Sequence, residues 1–384
     1  MQTPATKQIP ITRPSVGEEE WLALREPIMN GWLTQGAKVA EFEREFARQH
    51  DVRHAISTTS CTTSLHLALN ALGIGPGDEV IVPAFTWIAT ANAVVYCGAK
   101  PVFVDVLPET YNIDPEQVRH AVTDATKAII AVHLFGLAAD MDTLQSAAPH
   151  VPIIEDAACA VGASYKGRLT GSLGKLGCFS FHPRKIITTG EGGIVTTQQD
   201  ELAHTINTLR NHGASISEEQ RHHGAQPYLL PDFDVVGFNY RMTDLQGALG
   251  LVQLSKLESL LADRRQRAEQ YHEALSGLTW LQTPVTPAAY QHTWQSYVCR
   301  VDETRAPCTR NTIMERLQSR GISTRPGTHA VHRTGAYRTT DNPATDICPI
   351  ASDCERSTLA LPLFGRMQDA DYQYVIEELF ALDT

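Results

Sequence analysis

Ala128-Ile-Ile-Ala-Val-His-Leu-Phe-Gly-Leu-Ala-Ala-Asp-Met-Asp-Thr-Leu-Gln-Ser-Ala-Ala-Pro-His-Val-Pro-Ile-Ile-Glu-Asp156 is the stretch that settles the class of fold. It holds two apolar runs, Ala128–Val132 and Val151–Ile154, each entered from a helical segment. A strand with one wet face alternates apolar with polar residues, so unbroken runs of this length read as strands buried on both sides. The pattern repeats outward. Upstream lie Glu79-Val-Ile-Val-Pro83 and Pro101-Val-Phe-Val-Asp105, separated by helical periodicity at Ser64–Leu72 and Ala91–Tyr96. Pro115–Val122 reads as a further helix, with Asp114 as its cap. Downstream, Cys178-Phe-Ser180 and Ile194-Val-Thr-Thr197 are short strands. Apolar strands alternating with helices indicate an α/β fold around a mainly parallel sheet covered on both faces. Ligands of such sheets sit beyond the carboxyl ends of the strands. That rule draws Ala84–Trp87, His133–Gly136 and Glu155–Cys159 to one site.

Past Leu254 the character changes. Lys256–Leu275 is a long charged helix suited to carrying the chain between domains. Trp294–Val301 alternates like an exposed strand, and helices are expected over Asn311–Ser319 and Asp369–Ala381. The expected division is an N-terminal segment and large domain over 1–255, and a small α+β domain over 256–384.

At 384 residues the chain is long enough for two such units and a pocket between them. Lys+Arg 32 against Asp+Glu 43 gives a formal charge of −11, which disfavours a surface that grips nucleic acid. Hydrophobic residues at 42% and charged residues at 20% are too apolar a mixture for a disordered chain. The 8 cysteines include no C-x-x-C pair, so neither a zinc knuckle nor a disulfide framework is indicated, and reduced thiols are expected. The longest apolar stretch is too short to span a bilayer, and Met1–Pro10 carries no apolar run of a secretory leader. A cytoplasmic protein without a membrane partner is the expectation.

Two features carry chemistry. Glu155-Asp156-Ala-Ala ends an apolar strand, where a carboxylate either caps the next helix or faces a ligand. Cys178-Phe-Ser-Phe-His-Pro-Arg-Lys185-Ile-Ile-Thr-Thr-Gly-Glu-Gly-Gly193 sets a lysine between two apolar strands. Such a lysine either snorkels to the surface or is neutralised, for instance as a Schiff base. Pyridoxal phosphate requires that lysine, an acid at its pyridine nitrogen, an aromatic face and a set of phosphate donors. The chain supplies each in order. Ser57–Thr63 precedes a helix whose positive end suits a phosphate; Trp87, Asp156, Ser180 and Lys185 follow.

These segments resemble the DegT-type sugar aminotransferases, a branch of the fold-type-I pyridoxal-phosphate enzymes. The resemblance rests on Gly31-Trp-Leu-Thr-Gln-Gly36, Gly77–Asn92, His133-Leu-Phe-Gly136 and Glu155-Asp-Ala-Ala158. It continues through Phe179–Lys185, Gly190-Glu-Gly-Gly193 and Gly237–Ala248, and it runs from about residue 10 to the C-terminus. It implies a large domain with a seven-stranded sheet and a smaller C-terminal domain. Lys185 matches the Schiff-base lysine, Asp156 the partner of the ring nitrogen and Trp87 the stacking aromatic. Ser60, Cys61, Thr62 and Ser180 match phosphate contacts. Asn239 matches a residue that reaches the phosphate of the neighbouring subunit, implying a homodimer; it could equally open a helix. Trp32, Thr34, Arg241 and His329 fall where relatives meet substrate, and Arg241 could also be an inter-subunit ion pair. His329 and His332 form an H-x-x-H pair without a carboxylate, too little for a metal site.

Two departures stand out. Ser60-Cys61-Thr62 replaces the usual Ser-Gly-Thr, putting a Cβ where glycine leaves the backbone free. Cys159 stands where His or Gln usually lies near the cofactor's phenolic oxygen, and a thiol hydrogen-bonds more weakly than either; it is open equally to a cofactor contact there and to the role of a small buried hydrophobe. The implied reaction moves an amino group from L-glutamate to a nucleotide-linked keto-deoxy sugar, C4 ahead of C3. The alternatives are a cyclitol or other non-nucleotide acceptor, a related sugar dehydratase, which Lys185 disfavours, and a non-catalytic regulator.

Overall fold

The computed structural model describes residues 7–216, 228, 230–338 and 346–382. Its centre is a seven-stranded sheet in the order His54–Thr58, Gly193–Thr197, Leu176–Ser180, Ile153–Asp156, Thr126–Val132, Glu79–Pro83, Lys100–Val104. The last five run parallel, and Gly193–Thr197 is antiparallel to both its neighbours.

The apolar runs are buried on both faces, as their lack of alternation requires. Ala128 and Ile130 pack with Val80, Val82 and Ile154 against Leu65, Ala68 and Leu69 of the helix Cys61–Ala71. Ile129, Ala131, Ile81 and Ile153 pack on the other face against Val118, Met141 and Leu144. Helix starts follow their caps. Asp114 accepts the Glu116 amide at 2.9 Å ahead of Pro115–Ala121, and Thr243 and Gln246 form a capping box at the start of Asp244–Ser255.

A second core forms around the three-stranded sheet Leu281–Gln282, Tyr297–Val301, Thr358–Leu361. Tyr297–Val301 is its middle strand, and Tyr297, Val298, Cys299 and Val301 are all buried. The alternation expected of an exposed strand is therefore misleading here. Helices cover the sheet, and Arg300, the polar member of the run, reaches out to Asp353. The helix Leu257–Leu275 spans the two cores, with Leu257 and Leu261 in the first and Ala268, Tyr271 and Leu275 in the second. Ile9 also enters the second core and bridges to Ile322. A short pair, Phe85–Thr86 with His329–Ala330, ties the C-terminal part to the carboxyl edge of the main sheet. All eight cysteines are unpaired. Among the described residues no helix is long and apolar enough to cross a membrane.

Candidate active site

Successive strand residues point to opposite faces, so Glu155 and Asp156 part company at the end of their strand. Glu155 turns into the face occupied by His133 and the 171–174 turn. Its oxygens accept the Gly171, Leu173 and Gly174 amides at 2.7, 2.8 and 2.6 Å, and Oε2 lies 2.8 Å from His133 Nε2. His133 Nδ1 accepts the Ala139 amide at 3.0 Å, so its proton sits on Nε2 and is donated to Glu155. Every oxygen of this fully buried carboxylate is used internally, which makes it a structural clamp.

Asp156 turns the other way, toward the starts of the helices Cys61–Ala71 and Ala89–Tyr96. It is 6% exposed. Thr90 Oγ1 donates to its Oδ2 at 2.8 Å, the Ala158 amide to its Oδ1 at 3.3 Å, and Cys61 Sγ stands 3.9 Å from Oδ1. The Ala158 contact closes a local turn, no helix follows it, and the Thr90 contact reaches the start of Ala89–Tyr96, so the carboxylate does not cap the next helix as its sequence position suggested. Burial pushes its carboxyl above the ordinary range, against the opposing pull of Thr90, Ala158 and the Lys185 charge.

Lys185 enters from the loop that follows Leu176–Ser180, its amide held by the His182 carbonyl at 2.8 Å. Its Nζ donates to Cys159 Sγ at 3.1 Å. Burial pulls this ammonium down, but Cys159, Cys61 and Asp156 together more than offset that, leaving it above its usual range. The lysine is half-buried between strands and directed at the Asp156 side of the sheet. It does not snorkel.

The Ser57–Thr63 cluster lies one element away. Ser60 is the N-cap of Cys61–Ala71 and accepts the Thr63 amide, so the helix begins inside the cluster. Cys61 therefore has ordinary helical backbone and pays no penalty for its Cβ, while burial raises its thiol strongly. The glycine the site does require is Gly193, where a Cβ would come 2.5 Å from the Ser60 carbonyl carbon. Gly190, at φ +84°, makes the turn that leads there. Ser180 Oγ accepts the His182 amide at 3.4 Å, and Thr62 is half-buried on the first turn of the helix.

Trp87 is 61% exposed at the strand edge, an unusual place for so large an apolar ring. Its neighbour is His329, at 5.6 Å between ring centroids, placed there by the Thr86–His329 pairing. His329 Nδ1 is 3.8 Å from Glu355. His332 goes elsewhere, to Asp346 at 2.8 Å, and no group of three or more His, Cys, Asp or Glu able to hold a metal occurs among the described residues.

Asn239 is exposed on a segment that runs beside the cluster, since the Thr59 amide donates to the Tyr240 carbonyl at 3.0 Å. Arg241 donates to Asn211 Oδ1 at 2.7 Å, while its Nε is buried without a partner among the described residues. Trp32 and Thr34 sit in a turn tied to Asp244. Trp32 Nε1 donates to the Gln35 carbonyl at 3.2 Å, and the Asp244 amide to the Thr34 carbonyl at 3.1 Å.

The fold thus brings Asp156, Cys61, Cys159 and Lys185 together, sets Trp87 beside His329, and lays Asn239 along the helix start. Thr90 is the residue that sequence reasoning passed over. Its place on the first turn of a helix at the carboxyl edge carries no signal in the sequence, and only the contact with Asp156 reveals it.

A sequence model of the DegT/DnrJ/EryC1/StrS aminotransferase family matches residues 14–380. Among solved structures, the chain is similar to an aminotransferase TlmJ from Streptoalloteichus hindustanus, at 32% identity over 98% of both chains with a TM-score of 0.89. It is similar to the putative sugar aminotransferase Spr1654 from Streptococcus pneumoniae in its PLP-form, at 30% identity over 98% of both chains with a TM-score of 0.89. It is also similar to S. venezuelae DesV in complex with a ketimine intermediate, at 32% identity over 97% of this chain and 98% of that one, with a TM-score of 0.86.

Proposed function

The chain belongs to the DegT/DnrJ/EryC1/StrS aminotransferase family, and on that premise we propose that it is a pyridoxal-phosphate-dependent sugar aminotransferase. The observation that carries the reading is the convergence of one amine and one acid at the carboxyl edge of the sheet. Lys185 and Asp156 each perturb the other's ionisation there.

The residues present fit the cofactor. Asp156 is a buried carboxylate with one hydroxyl and one amide as hydrogen-bond partners, raised by burial more than the Lys185 charge offsets, and a positive group against it would be favoured. A protonated ring nitrogen is such a group. Trp87 offers an uncovered aromatic face, and the amide end of the helix Cys61–Ala71, with Ser60, Cys61, Thr62 and Ser180, suits a phosphate.

Bound there, pyridoxal phosphate supplies an electron sink for a carbanion beside the donor nitrogen. The protein supplies the rest. Lys185 Nζ would take the proton from the donor's α-carbon and pass it to the cofactor within the first half-reaction, then take one back and deliver it to the carbon that receives the amine in the second. Asp156 stays ionised to hold positive charge on the ring, with Thr90 fixing its orientation. The donor is L-glutamate, leaving as 2-oxoglutarate. The acceptor is a nucleotide-linked keto-deoxy sugar whose C4 carbonyl becomes an amine. Trp32, Thr34, His329 and Arg241 are the candidates for its contacts, and the planar guanidinium of Arg241 suits an anionic group.

The same reading takes Asn239, exposed beside the helix start, to the phosphate of a second copy in a homodimer. It divides the chain near residue 255, ahead of the helix shared by both cores. Eight unpaired thiols favour a reducing compartment, the cytoplasm. The test is 2-oxoglutarate release from L-glutamate with a panel of nucleotide-linked keto sugars and cyclitol ketones. Turnover with C4 ketones alone supports the assignment, and turnover only with free cyclitols overturns it.

A further inference from the structure

Cys159 stands three residues beyond Asp156, in the turn closed by the Ala160 amide on the Ala157 carbonyl at 2.9 Å. The backbone there is held from a second side. Thr293 Oγ1 donates to the Cys159 carbonyl at 3.3 Å, with the same hydroxyl 3.4 Å from the Gly136 carbonyl. The backbone that carries the sulfur is therefore fixed by two separate parts of the chain, and Lys185 Nζ lies 3.1 Å from the sulfur itself. The other groups facing the amine are Cys61 at the helix start and Asp156 at the strand end, with His182 in the lysine's own loop. Asp156 is engaged by Thr90 and Ala158, and Cys61 is directed at Asp156. Cys159 is left as the acceptor that meets the amine directly.

We propose that Cys159 is a positioning residue for Lys185, its sulfur accepting from the amine and stabilising the protonated state in which Lys185 holds the proton it shuttles. The inference rests on the reading of Lys185 given above. A lysine that must take a proton from carbon and keep it for a short time gains from a soft, polarisable acceptor. A thiol sulfur is too weak an acceptor to retain the amine against reaction, while its contact with an ammonium is charge-assisted. The thiol thus tunes basicity without locking the side chain away. With Cys159 removed, burial acts on the ammonium with less opposition, and the amine loses its proton at lower pH.

The test uses the full-length, cofactor-free protein and reads Lys185 itself. Trace acetylation with acetic anhydride across pH, followed by peptide mass spectrometry, gives the midpoint at which the Lys185 amine becomes reactive. In Cys159→Ala the midpoint is expected to fall by about one pH unit, a tenfold change in the protonated-to-neutral ratio. In Cys159→Ser, where a hydroxyl oxygen still accepts, it is expected to fall less. Circular dichroism confirms that each variant is folded, and the serine variant carries the test alone if the alanine variant does not fold. Midpoints that stay at the wild-type value in every folded variant overturn the proposal, because a merely space-filling thiol leaves them in place. A separate arm adds pyridoxal phosphate and borohydride to the same samples. Label on Lys185 with unmoved midpoints rejects the role of Cys159 alone; label absent from Lys185 in the wild type rejects the functional reading on which it rests.

Discussion

Replacing Asp156 by Asn separates what the carboxylate does for the reaction from what it does for the fold. In the cofactor-free protein the group is buried, and burial raises its carboxyl above the ordinary value of 3.8. A carboxyl raised by folding stabilises the native state below its unfolded value, and that contribution is lost as pH rises through the folded value. Burial thus disfavours the ionised form in the empty protein, and the Lys185 charge opposes that only in part. Asparagine removes the charge and keeps the shape. Its oxygen can still accept the Ala158 amide, and Thr90 can turn its hydroxyl toward Thr86, 3.1 Å away. The expected result at pH 7 is a cofactor-free variant at least as stable as the wild type, with a gain of about 1 kcal/mol. Catalysis moves the opposite way. Opposite unit charges about 4 Å apart are worth about 4 kcal/mol at an effective dielectric near 20. At about 1.36 kcal/mol per tenfold, losing that support for a positive ring costs about a thousandfold in kcat. Thermal melting of the cofactor-free protein and steady-state release of 2-oxoglutarate read the two halves. Turnover within tenfold of wild type, or a cofactor-free variant several kcal/mol less stable, would contradict these two roles of Asp156.

Other outcomes are as definite. Glu155→Ala should lower stability by about 3–5 kcal/mol, since it strips His133 and three amides of a buried acceptor, measured by urea denaturation. Trp87→Ala should leave melting unchanged, because the ring is already exposed, yet weaken cofactor binding by about tenfold through lost stacking, measured by fluorescence titration. His292 is buried with a folded value pushed down to about 3, from an ordinary 6.5. The sign follows: its contribution is complete above 6.5 and is lost as pH falls, because the unfolded chain takes up a proton that the native one refuses. At pH 5 the loss is about 2 kcal/mol, and His292→Gln should flatten that part of the stability–pH curve.

Much of the fold was legible because burial on both faces leaves a plain trace. Ala128–Val132 and Val151–Ile154 show no alternation, and the structure places them at the centre of the sheet. Trp294–Val301 shows where that logic stops. Its alternation is real, but the polar positions are satisfied by partners distant in sequence, such as Asp353 for Arg300, so the strand is buried all the same. The site was legible through chemistry that is costly elsewhere: a lysine between apolar strands and an acid at a strand end. The two readings open to Glu155 and Asp156 could be separated only by the direction each side chain takes, which the strand's position in the sheet decides. Thr90 was missed for the same reason. A threonine on a helix is unremarkable until Asp156 is seen 2.8 Å away. The contact between Lys185 and Cys159 joins two turns 26 residues apart. No local pattern announces it.

The most direct test of the account is reduction of the pyridoxal-phosphate-loaded protein with borohydride, followed by peptide mass spectrometry. One phosphopyridoxyl group is expected, on the peptide carrying Lys185, with its loss in Lys185→Ala together with all turnover. A label on another lysine, or an active Lys185→Ala protein, would contradict the role of Lys185.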